Sequence, residues 1–270
     1  PKSTYMYWKK RFDRENKDAH FEEEIIKIRE EHPNYGYRRI HAMLKRTGYT
    51  INKKKVQRLI QKLNLQVTNF TRKSRKYKSY KGTIGKIAPN RIKRRFNTCV
   101  MHQKITTDTS EFKYYEIDKY GNLQIKKLYL NPFLDMYNGE IISYSISKTP
   151  NLDSIIKPLE VAIEKTSDCK FKRIFHSDQG WAYQLNQYTS KIKKNGILQS
   201  MSRKGNCLDN SPMENFFGIL KQEIYYGNTF KSFNELKNTI EKYIKYYNEK
   251  RIKAKLGYLS PVEYRKLNAA

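Results

Sequence analysis

The sequence predicts a mixed α/β half preceded by a small, strongly basic all-α half. Three observations carry that prediction. Residues 21–65 repeat apolar positions at helical spacing three times. Residues 99–150 switch to short strand-like runs, two of them joined by Asn138-Gly139. After Thr149-Pro150, helical and strand-like stretches alternate, the order expected of a mixed sheet with helices packed on it.

The elements follow in chain order. Residues 1–20 are polar and basic, with Tyr5, Tyr7 and Trp8 as anchors of a short helix or arm. FEEEIIKIREEH places Phe21, Ile25 and Ile28 on one face, with acids in the first turn where they suit the helix dipole. YGYRRIHAMLKRTG aligns Tyr37, Ile40 and Leu44 and stops at Gly48. INKKKVQRLIQKLNL has Asn52 as N-cap and Val56, Leu59, Ile60 and Leu63 as its apolar stripe. Its other face offers Lys53, Lys54, Lys55, Arg58 and Lys62, and Arg38 and Arg39 stand on the helix before it. A short helix, a turn and a basic helix suit a helix-turn-helix in the DNA major groove, or a small bundle with a solvated basic face.

Residues 66–98 lack a sustained period. Eleven Lys and Arg lie between Arg72 and Arg95, interleaved with Tyr77 and Tyr80, as in a linker that tracks phosphates. The expected core spans 99–228. QKITTDTSEFKYYEID, two runs within KKLYLNPFLDMYNGEIISYSIS, FKRIFHSD and ILQSMS read as strands. LDSIIKPLEVAIEK, irregular at Pro158, AYQLNQYTSKIKKNG and SPMENFFGILKQEIYY read as helices. A C-terminal helical extension, 229–270, starts with a helix carrying Leu236, Ile240, Tyr243 and Tyr247. The basic segment 249–258 is expected as an exposed loop touching DNA.

The 270 residues carry 55 Lys and Arg against 26 Asp and Glu, a net charge of +29. That charge calls for a polyanionic partner, and nucleic acid is the expected one. It is uneven: residues 1–98 hold 28 basic and 8 acidic side chains, residues 99–270 hold 27 and 18. The first part serves as an electrostatic handle, and the second spends carboxylates on a task of its own. No run of about 18 apolar residues exists and no apolar leader opens the chain, which predicts a cytoplasmic protein off the membrane. Cys99, Cys169 and Cys207 lack framework spacing, which suits a reducing compartment. The chain opens on Pro1, as a fragment or processed product would.

Three acids stand out by position. Asp108 lies mid-strand, Asp178 where a strand ends, and Glu214 in the first turn of a helix. Strand middles, strand ends and helix starts meet at one edge of a sheet. Three carboxylates there would hold divalent cations through oxygen. Two such ions can activate an attacking oxygen and steady a leaving one on a phosphodiester. Asp209 reads as a loop or cap residue, Asp135 as structural, and His176 as either a packed histidine or an orienting group.

FHSDQG at 175–180, MSRKGNCLDNSPMENFFGILKQE at 201–223 and YNEKRIKAKLGYLSPVEYR at 247–265 resemble bacterial insertion-sequence transposases. The resemblance is to the family named for insertion sequence three, whose catalytic product is OrfB or OrfAB, within the retroviral-integrase-like DDE group. HPNYGYRRIHAMLKRTGYTINKKKVQRLIQKLNL at 32–65 resembles the helix-turn-helix that precedes its catalytic domain. The resemblance implies a ribonuclease H-like core and places the catalytic, metal-holding acids on Asp108, Asp178 and Glu214. It also implies Mg²⁺ or Mn²⁺, two ions, as cofactor. The partners it implies are double-stranded DNA, as terminal inverted repeats and target, and a second copy of the chain in at least a dimer. Lys221, seven residues after Glu214, takes the family's DNA-contacting basic position, and Asn210 matches a position near the active site. Arg203 and Lys204 of the MSRKGN loop join the candidate DNA contacts. Trp181 stands where the family often has a small polar residue, and the upstream OrfA-like segment is not in this chain. The rival expectations are a catalytically dead DNA-binding regulator, a tyrosine recombinase and a ribonuclease acting on RNA–DNA hybrids.

Overall fold

The structure, a computed structural model, describes residues 1–12, 15–70 and 86–268. They fall into two units, which divide between Arg72 and Lys73. Most of the expected phosphate-tracking linker, including Tyr77 and Tyr80, lies outside the described residues.

The first unit is all helical: α1 (Lys2–Phe12), α2 (Ala19–Glu31), α3 (Tyr37–Arg46) and α4 (Lys53–Lys62). Ile25, Ile40, Leu44, Val56 and Leu59 are buried at helical spacing on α2, α3 and α4. Each such side chain contributes about 1.5–3 kcal/mol when fully removed from water. The expected N-cap holds: Asn52 accepts from the Lys54 amide at 2.8 Å. Phe21 and Tyr37 are only partly buried; Tyr35, just before α3, is the aromatic that enters the core.

The second unit is built on one mixed sheet of β1 (Lys104–Thr107), β2 (Ser110–Ile117), β3 (Leu123–Asp135), β4 (Ile141–Ser147), β5 (Ile174–Ser177) and β6 (Leu198–Met201). β1 and β2 keep one register against β3, with Thr107 opposite Phe133 and Ser110 opposite Leu130. They form a single long strand interrupted at Asp108–Thr109. The interruption faces Asn131 and Pro132, and proline offers no amide hydrogen to a ladder. β4 pairs antiparallel with β3, while β5 and β6 run parallel to β1 and to each other.

Helices cover the sheet: α5 (Asp153–Lys165), α6 (Trp181–Gln184), α7 (Asn186–Lys194), α8 (Ser211–Leu220), α9 (Phe233–Glu249) and α10 (Pro261–Asn268). One core packs Phe112, Leu128 and Leu130 against Met213, Phe216 and Leu220 of α8 and Leu236, Ile240 and Tyr243 of α9. A second packs Ile105, Phe133 and Phe175 against Leu159 of α5 and Tyr188 and Ile192 of α7. The expected C-terminal extension is therefore part of the first core, because its apolar stripe is buried there.

Four expectations are corrected. The helix expected over 182–196 is two, broken at Leu185 in extended backbone. The helix expected over 211–226 is α-helical only to Leu220 and continues as a π-turn over Lys221–Tyr225. Asn138-Gly139 does not form a two-residue hairpin turn. It sits in a longer connection between Asp135 and Ile141, where the Gly139 amide donates to the Asp135 carbonyl and Gly139 has φ +74°. Lys253 Nζ donates to the Asn138 and Gly139 carbonyls, and a Cβ on Gly139 would meet it at 2.5 Å. Finally, 249–258 is not an exposed loop. Arg251, Ile252 and Leu256 are buried, because Arg251 is drawn inward by Glu223. Pro158 does sit inside α5; the Ser154 carbonyl that it cannot serve accepts from the Ser145 hydroxyl of β4.

Candidate active site

Asp108 leaves the sheet where the long strand is interrupted, and its Oδ1 accepts the Thr109 amide at 2.7 Å. β1 and β5 are parallel with Thr106 opposite His176, so Asp108 and Asp178 each follow that level by two residues. Asp178 Oδ1 accepts the Gly180 amide at 2.9 Å. A Cβ on Gly180 would lie 2.9 Å from that oxygen and 3.3 Å from the Tyr183 ring, so a larger residue would have to displace the Asp178 carboxylate. Glu214 stands exposed in the first turn of α8, where the helix dipole favours a carboxylate.

The start of α8 is pinned to β1. Asn210 Oδ1 accepts from the Thr106 hydroxyl, and its amide donates to the Thr107 carbonyl at 3.2 Å. Asn210 is 3% exposed with both polar ends engaged, so it braces the site from inside rather than facing solvent. His176 is buried beside it. One ring nitrogen pairs with Ser200 Oγ at 2.8 Å and the other with the Asp209 carbonyl at 2.9 Å. Burial lowers its pKa to about 4, so it is a neutral, packed histidine.

The acids repel one another. Burial pushes the Asp108 carboxyl well above its ordinary range; the charges of Asp178 and Glu214 add to this, and Lys221 opposes it. Burial likewise raises Asp178 and Glu214. Lys221 also lies over the Phe112 ring, 4.8 Å from its centre. Among the described residues no three His, Cys, Asp or Glu side chains stand in a ready-made metal cage. The charges of Asp178 and of Glu214 on α8 both act on Asp108.

The family comparisons match this architecture along the chain. The integrase core domain matches residues 101–207, a second integrase core description matches 214–268, and an HTH-like domain matches 15–74. The protein InsK of insertion sequence element IS150 from Escherichia coli is 41% identical over 98% of this chain and 89% of its own length. This chain belongs to the insertion-sequence transposases. The transposase for insertion sequence element IS904 of Lactococcus lactis is 32% identical over 92% of this chain and 94% of that protein. Transposase InsF of insertion sequence IS3A from Escherichia coli is 28% identical over 87% of this chain and 78% of that protein. The second unit is thus the integrase-type, ribonuclease H-like catalytic core of a DDE transposase, and the first is its HTH-like DNA-binding domain.

The sequence-predicted contacts of this transposase sort into groups. Lys53, Lys54 and Arg38 are exposed; Arg38 lies over the Tyr37 ring and Arg39 over the Tyr35 ring. Lys55 and Arg58 pair with Asp18, and Lys62 pairs with Glu22 at 2.7 Å, so these three cations lean toward the acids around α2. Lys204 is exposed. Arg203 is 61% exposed at its side chain and forks onto Asp209, which is fully buried. Trp181 starts α6 and packs on the second core. Cys99 and His102 form no pair: His102 binds Asp168 at 2.7 Å. Among the described residues no helix is long and apolar enough to cross a membrane.

Sequence reasoning missed Ser200, Ser202 and Arg94, which tie the site together around His176 and Asp209. Small hydroxyls give no periodic signal. Asp209 gave one signal: it is the sole acid between Asp178 and Glu214.

Proposed function

We propose that this transposase cuts DNA at the terminal inverted repeats of its element and joins the freed 3′ hydroxyl to a second phosphodiester, with Asp108, Asp178 and Glu214 as the catalytic acids. The observation that carries the proposal is that Asp108, held above its ordinary range first by burial, also feels the charges of Asp178 and Glu214, in a chain of net charge +29. Acids that repel each other inside a DNA-binding protein make sense if they serve a cation. The donor set fits: three carboxylates offer hard oxygen ligands, which suit Mg²⁺ or Mn²⁺. When bound, two such ions would supply charge neutralisation at the scissile phosphate and sharpen the attacking oxygen.

The chain's own residues do the rest. The adjacent strands hold Asp108 and Asp178 at one level, and Asn210 fixes the first turn of α8 that carries Glu214. Lys221 opens the π-turn that continues α8, its charge acts on Asp108, and it offers a cation to the DNA backbone there. In the first reaction water displaces the 3′ oxygen at the element end. In the second that 3′ hydroxyl displaces another 3′ oxygen, so bonds exchange without a protein–DNA ester. Joining two ends calls for at least two copies of the chain.

Labelled element ends with Mg²⁺, resolved by size, test the proposal. Asp178→Asn and Glu214→Gln should each lower joined product at least 100-fold, while the DNA still binds in EDTA. Undiminished product from either variant would remove the catalytic assignment.

A further inference from the structure

Asp209 lies in the chain between Asp178 and Glu214 without being one of the three acids. Its carboxylate is fully buried and takes five hydrogen bonds. Asn90 Nδ2 donates at 3.0 Å and Arg94 Nε at 2.9 Å; Arg203 donates through its amide at 3.0 Å and through Nε and Nη2 at 2.9 Å each. Two guanidinium groups therefore share one carboxylate and keep a net positive charge. Both reach solvent, with side-chain exposures of 43% for Arg94 and 61% for Arg203. A guanidinium has five N–H donors in a fixed plane. Arg94 spends two, on Asp209 and on Asn206 Oδ1 at 3.0 Å. Arg203 spends two on Asp209. Three donors on each remain for an outside acceptor.

The backbone is bent to make this arrangement. Lys93 has φ +48° and Arg94 φ +61°, two consecutive non-glycine residues in the left-handed region. Such residues cost free energy and persist where the surroundings hold them. Here the Lys93 amide binds Asn90 Oδ1 at 2.8 Å, and the Arg91 and Ile92 amides bind Ser200 Oγ at 2.9 and 3.4 Å. The same Ser200 hydroxyl meets His176, and His176 meets the Asp209 carbonyl. The Arg203 loop is tied to the site as well: the Ser202 amide donates to Ser177 O, and Gln179 donates to Ser202 O at 2.9 Å. Residues 88–94 are thus a strap fastened to β6 and to Asp209, where the sequence suggested a linker that tracks phosphates.

We propose that Arg94 and Arg203, aligned by the buried carboxylate of Asp209, form a two-arginine clamp for backbone phosphate of the DNA strand entering the catalytic cleft. Paired planar guanidiniums suit phosphate oxygens, and pre-alignment lowers the ordering cost of binding. Asp209 is a positioning residue: it touches no DNA and sets the direction of both cations. The identity of the occupant rests on the transposase reading above; the clamp itself rests on the contacts of Asp209.

The test is DNA binding by the full chain in EDTA, where no cleavage interferes, over a range of KCl concentrations. Arg94→Gln and Arg203→Gln should each flatten the slope of log K against log salt by about 0.9, so that the wild-type advantage shrinks about 3.5-fold between 50 and 200 mM. The loss should be equal on element-end and unrelated duplexes, since phosphates carry no sequence. Lys170→Gln, at the opposite end of β5, should leave the slope unchanged. Asp209→Asn is the sharper variant, because it makes the chain more positive. A diffuse charge effect predicts tighter binding; the clamp predicts weaker binding, with circular dichroism verifying the fold. Tighter binding by Asp209→Asn, or wild-type slopes for both arginine variants, would overturn the clamp. If Asp209→Asn fails to fold, the arginine slopes decide alone. Loss of the clamp would leave the strand-transfer test of Asp178 and Glu214 untouched, and failure of that test would leave these slopes untouched.

Discussion

Asp135 ends β3 with 1% of its surface exposed, and its carboxylate accepts the His102 and Tyr137 amides at 2.9 Å each. Burial outweighs those bonds and raises its pKa to about 6, with Glu140 adding to the rise and His102 opposing it. The folded state therefore keeps a proton that the unfolded chain releases near its ordinary 3.8. Stability from this group is fully present below about pH 4 and is lost as pH rises through about 6. Asp135→Asn removes the titration. Chemical denaturation of both proteins should show the stability difference moving toward the variant by up to about 3 kcal/mol between pH 4 and 6, then levelling. A difference that stays flat across that window would contradict the raised carboxyl. At this scale the sequence singles out residues by position: Asp108, Asp178 and Glu214 stand out because an acid at a strand end or helix start in so basic a chain needs a reason. Asp209 reads from sequence as a loop or cap residue; in the structure it lies in a 3-10 turn over Cys207–Asn210, buried, and its partners Arg94 and Asn90 lie more than a hundred residues earlier, where spacing cannot reveal them.

Among the elements, α8 and its π-turn show what packing adds to periodicity. The apolar positions Phe217 and Leu220 predicted the helix, and both are buried. Its change of pitch at Lys221 has no signature in the apolar pattern. The wider turn carries one buried ion pair: Arg251 Nη2 donates to Glu223 Oε1 at 2.7 Å, with side chains only 3% and 2% exposed. Tyr243 adds a hydroxyl bond to Glu223 at 2.9 Å. This pair fastens the segment after α9 to the helix that carries Glu214 and Lys221. Removing one partner strands a buried charge, so Arg251→Ala should cost about 3–5 kcal/mol in urea unfolding, whereas exchanging both partners for Met should cost far less. A single variant within 1 kcal/mol of wild type would show that the pair does not hold this junction. The basic composition of 249–258 suggested an exposed DNA contact because sequence shows charge without burial; Arg251 is basic and 2% exposed. Strands were legible as short apolar runs, with only β2 alternating buried and exposed positions, while the interruption at Asp108 depended on Pro132 across the ladder, a pairing visible only in the fold.

For the molecule as a whole, charge and function pull against stability in a predictable direction. A net charge of +29 favours a polyanion, yet the catalytic core concentrates acids whose charged forms are disfavoured by burial and by one another. On the proposed function, this is a site whose stability is surrendered for chemistry. Without a divalent cation, the repulsion stays in the folded state and is relieved when the chain unfolds. Replacing one acid should therefore help the metal-free protein: Asp178→Asn should melt above the wild type in EDTA. Adding Mg²⁺ or Mn²⁺ should reverse the order. An ion at 100 times its dissociation constant adds about 2.7 kcal/mol to the wild type, which raises the melting temperature of a core this size by roughly 5–10 °C. The variant, lacking a ligand, should respond far less. Calorimetry of the two proteins with and without the ion checks both signs at once. A wild type indifferent to divalent cations, together with a variant that melts no higher than it in EDTA, would mean that the three acids neither strain the fold nor share an ion.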